Sequence, residues 1–372
     1  MTEYLDCYPG YIQLEKFLRC VLRILKFSFL PRKIFRDSGK LIIPAYHLYF
    51  AISIIAAAFY AEKDIAQWCL VVAELTGFLQ LMTKFVLLIA QEDDLNQLFL
   101  WIRQLHLEHE VEAITISARK HLKSAQFFTK MVLKLFFPAG LTAGLGFCFY
   151  LISTNSVLFA IPGLPGIKND SLIYHHVNQF LTVCPSGVLL ITYDSFFITI
   201  GIYFVAVLSI FRDVIKCLDN SNLNNNKILK VYYLYHCDIL AKFHLFNKVF
   251  CHILSAQAMS NTAYIFIMFY LVVTTGSFVL FPVVLIFYIL FAVLCIFGEV
   301  IFSKSEMFFA DWYLTNWYEF RTDDQKFLLM MLHATRKPIG IKVARIYDIN
   351  SILLLDVTKM AFSFCTILYT LK

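Results

Sequence analysis

Charge is scarce in this 372-residue sequence: Asp, Glu, Lys and Arg make up 16% of it, against 59% hydrophobic residues. Ordinary soluble domains are about a quarter charged and about half apolar, so a soluble fold is excluded. Glycine and proline are few, 13 and 9 residues, which rules out collagenous and Pro/Gly-rich low-complexity chains. Cysteines run from Cys7 to Cys365 without a Cys-x-x-Cys pair, so neither a zinc site nor a dense disulfide framework is indicated. No internal repeat is visible, which weakens the inverted-repeat architectures of many transporters. No nucleophile–base set and no phosphate-cradling glycine loop occurs, so neither an enzyme nor a cofactor is expected. The long charged segment Met1–Lys40 lacks the short apolar core and small-residue cleavage site of a signal peptide, and it is expected to be retained.

What is present is length in apolar runs. Seven stretches reach the roughly 20 residues that cross a bilayer: Leu41–Tyr60, Gln67–Ala90, Gln126–Thr154, Pro185–Phe211, Phe250–Thr274, Phe278–Ile301 and Ile349–Leu371. The predicted fold class is an all-α membrane protein. Orientation follows from Lys and Arg, which mark cytoplasmic loops. Basic residues crowd the segment before the first span and the loops after the second, fourth and sixth, whereas the opposite loops hold Lys63 and Lys168, with Lys372 at the end. The N-terminus is therefore predicted inside and the C-terminus outside. These loop charges, which give a net charge of +6, form no interleaved patch, so nucleic acid is not an expected partner; membrane lipid is. Asn169-Asp170-Ser171 fits the N-glycosylation pattern and falls in a loop assigned to the exterior. Cys148 and Cys184 both fall near the outer surface, either as a pair or as free apolar fillers.

Seven spans suggest a G-protein-coupled receptor, but the charges place the N-terminus on the wrong side, and neither an Asp-Arg-Tyr at the end of span three nor an Asn-Pro-x-x-Tyr in the last span occurs. The C-terminal third is more specific. Cys295-Ile296-Phe297-Gly298-Glu299 at the inner end of span six, then Asn316-Trp317-Tyr318, then the amphipathic stretch Gln325–Ala334 before Pro338, and a final short span resemble the insect odorant receptor family. Length, span count, orientation and a large outer loop before span four extend the resemblance over the whole chain, while residue-level similarity is confined to Cys295–Lys372. Phe362-Ser363-Phe364-Cys365 looks like the odorant form rather than the gustatory one, and the segment Arg212–Lys248 is much shorter than its counterpart in the shared co-receptor subunit. The chain thus resembles an odour-tuning subunit.

The resemblance implies an odorant-gated, nonselective cation channel, a heterotetramer with the co-receptor, in the plasma membrane of an olfactory neuron's dendrite. It implies a cytoplasmic N-terminal segment (1–40), a ligand-binding bundle of six helices (41–301), a cytoplasmic anchor (302–348) and a pore-lining helix (349–372). A gustatory receptor channel and a metabotropic seven-helix receptor are the competing readings. On the last helix, a 3.6-residue step from Asp356 passes Lys359/Met360, Ser363, Ile367 and Thr370/Leu371. Asp356 either faces a water-filled conduit or pairs with Lys359 at i+3. The resemblance assigns an apolar constriction to Ile367 and Leu371, about 16 Å outward of Asp356, where dewetting would hold a pore shut.

A small volatile ligand calls for an enclosed, aromatic-rich cavity. The outer-half candidates are Trp68, Val72 and Leu75 on span two; Phe147, Tyr150 and Leu151 on span three; Tyr193, Phe196 and Phe197 on span four; and Phe281, Leu285 and Tyr288 on span six. Aromatics at helical spacing serve equally as ordinary packing or interface belts. Asp194 is an intramembrane acid that either binds an amine or bonds to a neighbouring helix. His106-Leu107-Glu108-His109 reads as a solvated cytoplasmic helix face, with metal binding the lesser alternative, and His175-His176 gives a similar weak metal signal. Glu299 and Asp311 either bridge subunits in the anchor or are solvated at the interface.

Overall fold

The computed structural model describes residues 3–26, 41–60, 65–164, 169–220, 226–275, 281–343 and 347–370. Its elements are helices α1 (Tyr8–Leu25), α2 (Ile42–Tyr60), α3 (Ile65–Ala90), α4 (Glu92–Gln104), α5 (Glu112–Ser153), α6 (Asn169–Lys216), α7 (Asn226–Thr275), α8 (Phe281–Tyr313), α9 (Thr322–Thr335) and α10 (Ser351–Thr370). Two-residue strands β1 (Lys342–Val343) and β2 (Tyr347–Asp348) pair antiparallel, with Lys342 opposite Asp348. Among the described residues six helices, α2, α3 and α5 to α8, are long and apolar enough to cross a membrane. The seventh expected span is α10, whose 20 residues cover about 30 Å.

The sequence-predicted spans mark only the apolar part of much longer helices. Span four, expected from Pro185, starts 16 residues earlier, because α6 runs 48 residues from Asn169. The connection Arg212–Lys248 is likewise largely helix, since α7 begins at Asn226 and runs for 50 residues. At 1.5 Å per residue each is more than 70 Å long, over twice a hydrocarbon core, so both project well beyond the bilayer. Apolar runs end where helices leave lipid, not where the helices end.

On the side that the loop charges assign to the cytoplasm, the projecting ends of α6, α7 and α8 pack with α9. Phe211 lies edge-on to Phe308 at 5.0 Å and stacks on His236 at 5.3 Å, beside fully buried Trp312. Arg212 Nε donates to Asp311 Oδ2 at 2.6 Å, so Asp311 is held within its own chain. Amphipathic α1 buries Tyr11, Leu14, Leu18 and Leu22, the i, i+3, i+4 face, and Tyr11 Oη donates to the Phe99 carbonyl at 2.8 Å. His106 is not a solvated helix-face residue: it follows α4 in a turn and is fully buried, with Tyr11 stacked on its ring at 4.9 Å. Burial holds its imidazole below the ordinary value of 6.5.

At the opposite end, the loop after α5 folds down onto the bundle. Ser53 Oγ donates to the Ala160 carbonyl at 2.7 Å, Asn178 Nδ2 to the Phe159 carbonyl at 3.0 Å, and the Leu158 amide to Gln179 Oε1 at 2.7 Å. Each buried backbone group there has a side-chain partner, which is what lets Leu158, Phe159 and Ala160 be buried in a loop.

Candidate functional site

Helices α5 and α6 cross through small residues. A Cβ on Gly187 would sit 3.0 Å from the Gly140 carbonyl oxygen, and one on Gly140 would collide with the Ile191 side chain. Gly140 and Gly144 form the small-xxx-small spacing that lets membrane helices approach closely. Pro138 and Pro185 lie inside these two helices, one turn from the crossing, each without an amide N–H for the helix ladder.

Missing side-chain volume on two facing helices leaves a cavity of about 470 Å³. Its walls are Glu74, Gly77, Gln80 and Leu81 of α3, Leu135 to Phe147 of α5, Val183 to Ile191 of α6, and Phe287, Ile289 and Leu290 of α8, closed by Phe50 of α2 and Tyr264 of α7. Phe159 of the outer loop packs on Phe50 with ring centroids 5.0 Å apart. The lining is mostly apolar, and its size and shape suit a small organic molecule. Leu135 and Ile289 are exposed at its rim, on the outward faces of α5 and α8.

Its polar groups are few. Tyr264 Oη donates to Glu74 Oε1 at 3.1 Å, and Ser260 Oγ to Gln80 Oε1 at 2.6 Å. Thr142 Oγ1 donates to the Ala139 carbonyl at 3.0 Å and Ser186 Oγ to the Thr182 carbonyl at 2.7 Å.

Of the twelve predicted pocket residues, the cavity includes Phe147. Tyr150 and Leu151 lie about one turn further out, in a cluster with Leu70, Val71 and Phe159, against which Leu75 also packs. Trp68 and Val72 are on the outward face of α3, each 47% exposed, and Leu285 is exposed on α8. Tyr193, Phe196 and Phe197 are buried on the cytoplasmic side of the cavity; Phe197 packs edge-on to Phe250 and Phe297 at 5.6 and 5.2 Å. Tyr288 hydrogen-bonds Thr358 of α10 at 3.3 Å. The side chain of Phe281 lies outside the described residues, as does that of Asn169. Two errors account for the displacement: the start of α6 was set too far in, and an outer-leaflet site was sought one to two turns too close to the surface on α3, α5 and α8. Gly140, Gly144 and Gly187 were missed because aromatic residues were sought where their absence makes the space.

Asp194 is bonded to a neighbouring helix, the second of its two sequence readings. Lys84 Nζ donates to Asp194 Oδ1 at 2.5 Å, with the two side chains 0% and 9% exposed. The pair joins α3 to α6 three residues beyond Leu81 and Ile191, on the cytoplasmic side of the cavity. Cys148 and Cys184 are buried free thiols with their sulfurs 3.9 Å apart. His175 Nδ1 accepts the Ile161 amide at 3.1 Å, which fixes the outer loop.

Comparison with known proteins decides what carries this cavity. The family described as 7tm odorant receptor matches residues 64–362. The chain belongs to the odorant receptor family. The receptor is similar in fold to the olfactory receptor OR5 of Machilis hrabei, solved in complex with eugenol, with a TM-score of 0.78 at 14% identity over 97% of this chain and 100% of that one. A second structure of the same insect receptor superposes with a TM-score of 0.76 at 15% identity over the same shares. No curated protein sequence matches the receptor. It is a multi-pass membrane protein and not an enzyme.

The last helix of the receptor has two faces. Val357, Ala361 and Cys365, spaced i, i+4, i+8, are buried against α7 and α8. Asp356, Ser363 and Ile367 lie on the opposite side and are exposed, Ile367 at 58%. Leu371 lies outside the described residues. At the base of the helix, a Cβ on Gly298 would collide with the Ile349 carbonyl oxygen, and Glu299 Oε2 accepts the Ser351 amide at 3.3 Å. The Gly-Glu of the family-like motif therefore seats the start of α10 on α8.

Proposed function

We propose that the receptor is the odour-tuning subunit of a ligand-gated, nonselective cation channel, assembled as a heterotetramer with the shared co-receptor in the plasma membrane of an olfactory sensory neuron's dendrite. The small volatile ligand occupies the cavity between α3, α5, α6 and α8. The single observation that carries this reading is that cavity: about 470 Å³, mostly apolar and built by facing glycines. The eugenol-bound state of the Machilis hrabei receptor supports a small-molecule site in this fold. Exposed Leu135 and Ile289 at the rim support entry from the lipid, where an apolar volatile concentrates.

Residues 349–372 line the pore, with Asp356 favouring cations and Ser363, Ile367 and Leu371 leading outward to an apolar gate. Exposure of Asp356, Ser363 and Ile367 on the side away from the bundle supports that role, because an intramembrane carboxylate needs water or a partner. Residues 302–348, together with the cytoplasmic ends of α6 to α8, form the anchor between subunits, 1–40 is cytoplasmic, and Asn169 carries glycan on the outer face.

The test is co-expression with the co-receptor in oocytes. Odorant-evoked cation current should arise within seconds without added nucleotide or G protein, and Ala143→Trp, which fills the cavity, should abolish it at unchanged surface level. A response that needs a G protein, or one that survives Ala143→Trp, overturns the proposal.

A further inference from the structure

Glu74 is a carboxyl group in the wall of an apolar intramembrane cavity, and the described residues give it no cation. Asp194, the other acid buried in this part of the bundle, has Lys84; Glu74 has the Tyr264 hydroxyl on Oε1. A carboxyl group at membrane depth is costly unless a partner is supplied, and such residues mark binding sites more often than packing.

The remaining polar groups of the wall sharpen what that partner must be. The hydroxyl protons of Thr142, Ser186 and Tyr264 are all directed to protein acceptors, and the Gln80 carbonyl oxygen accepts from Ser260. What faces the cavity is chiefly acceptor: Glu74 Oε2 and hydroxyl lone pairs, with the Gln80 amide nitrogen the available donor. Ligands that only accept hydrogen bonds, such as esters and ketones, would leave Glu74 unmet, and a buried polar group left unpaired is penalised heavily in recognition.

Resting on the proposed ligand cavity, we infer that the receptor is tuned to small organic amines, with Glu74 as the group that receives the nitrogen. An amine fits whichever protonation state the carboxyl holds. An ammonium ion brings its proton to the carboxylate, and a neutral amine takes the proton of the carboxylic acid; both routes end in the same N–H···O ion pair, with no proton gained or lost. An alcohol or phenol offers one neutral hydrogen bond at the same place, roughly half as strong. The apolar remainder of the ligand lies against Phe136, Phe147, Leu190 and Phe287.

The test uses three compounds of one skeleton, 2-phenylethylamine, 2-phenylethanol and propylbenzene, with two readouts: evoked current with the co-receptor at neutral pH, and thermal stabilisation of the purified full-length receptor. In the native receptor the amine should be at least about tenfold more potent than the alcohol, and the hydrocarbon weaker still. Glu74→Gln, which keeps an acceptor for Tyr264, should erase the amine advantage while leaving the alcohol response within about threefold; Glu74→Asp should retain part of it. Equal potency of amine and alcohol in the native receptor, or an equal loss of both in Glu74→Gln, overturns the inference. Current to neutral compounds without amine preference rejects the amine assignment and leaves the channel reading intact. Amine-selective stabilisation without current does the reverse.

Discussion

Removing either partner of the Lys84–Asp194 pair should destabilise the receptor far more than removing both. Both side chains are essentially sealed, and Nζ lies 2.5 Å from Oδ1 between α3 and α6. Lys84 is six residues from the inner end of α3, about 9 Å of helix, and it is fully buried, so its ammonium does not reach the interface. Asp194→Asn would leave that ammonium without a counter-charge in a low-dielectric bundle, at a cost of about 3–5 kcal/mol. Lys84→Met should cost a similar amount by stranding the carboxylate. The double variant Lys84→Met/Asp194→Leu removes both desolvation penalties, and it should recover most of the loss because buried pairs contribute little net stability over apolar replacements of similar volume. Unfolding of the purified full-length receptor in detergent measures all four corners of the cycle. Single-variant costs below about 1 kcal/mol that simply add in the double variant would refute the reasoning, because they would show two independently solvated charges.

Gly298→Ala should wedge α8 away from the start of α10, since its Cβ would overlap the Ile349 carbonyl; loss of evoked current with normal surface biotinylation checks this. Ile367→Ala, by widening the proposed apolar gate, should raise ligand-independent current, and an unchanged resting current counts against the gate. Tyr288→Phe deletes the hydroxyl that meets Thr358 at 3.3 Å, and it should lower maximal current while leaving thermal stabilisation by ligand unchanged. Acid should also weaken the cytoplasmic packing around α1. His106 is buried with its value held below 6.5, so its contribution is complete above that pH and is lost as pH falls toward the folded-state value. The native receptor should therefore melt earlier at about pH 5 than at pH 7, and His106→Phe should flatten the difference.

The span order and the orientation were legible because they depend on composition averaged over about 20 residues, where single errors cancel. Family membership was legible in residues that act locally: Gly298 and Glu299 meet the start of α10 directly, so their spacing survives in the sequence. Helix ends were not. The cytoplasmic parts of α6 and α7 interleave polar residues with Phe211, Tyr232 and Phe246, so hydropathy falls although the helix continues. The cavity was the least legible feature, because it is defined by what the side chains omit. Phe147 was found as an aromatic on a predicted outer half, whereas Gly140 and Gly187 become a site only when two helices bring them within 3.0 Å. Glu74 carried a signal of its own, an acid inside an apolar run, and Asp194 received attention for the same reason; only the fold distinguishes the acid with a lysine from the acid without one.

The same contacts define a mechanical route from the cavity to the last helix. Phe287 and Leu290 of α8 face the cavity, while Tyr288 between them reaches Thr358. Ten residues deeper, Gly298 abuts Ile349 and Glu299 accepts the Ser351 amide. The interval from Tyr288 to Gly298 is about 15 Å of helix, and that from Ile349 to Thr358 about 13 Å, so α8 and α10 run antiparallel nearly in register, joined at two levels. The lower joint is backbone against backbone and resists motion; the upper joint is one hydrogen bond between two half-buried side chains. A ligand that pushes Phe287 and Leu290 therefore tilts α8 about its lower joint, and the displacement passed to α10 grows with distance from Ile349. It is greatest at the outer end, where Ile367 lies, and small at Asp356, two turns above the fixed point. Opening by this route would widen the apolar ring while leaving the ring of carboxylates almost in place, so gating and ion preference would be separable by mutation along a single helix.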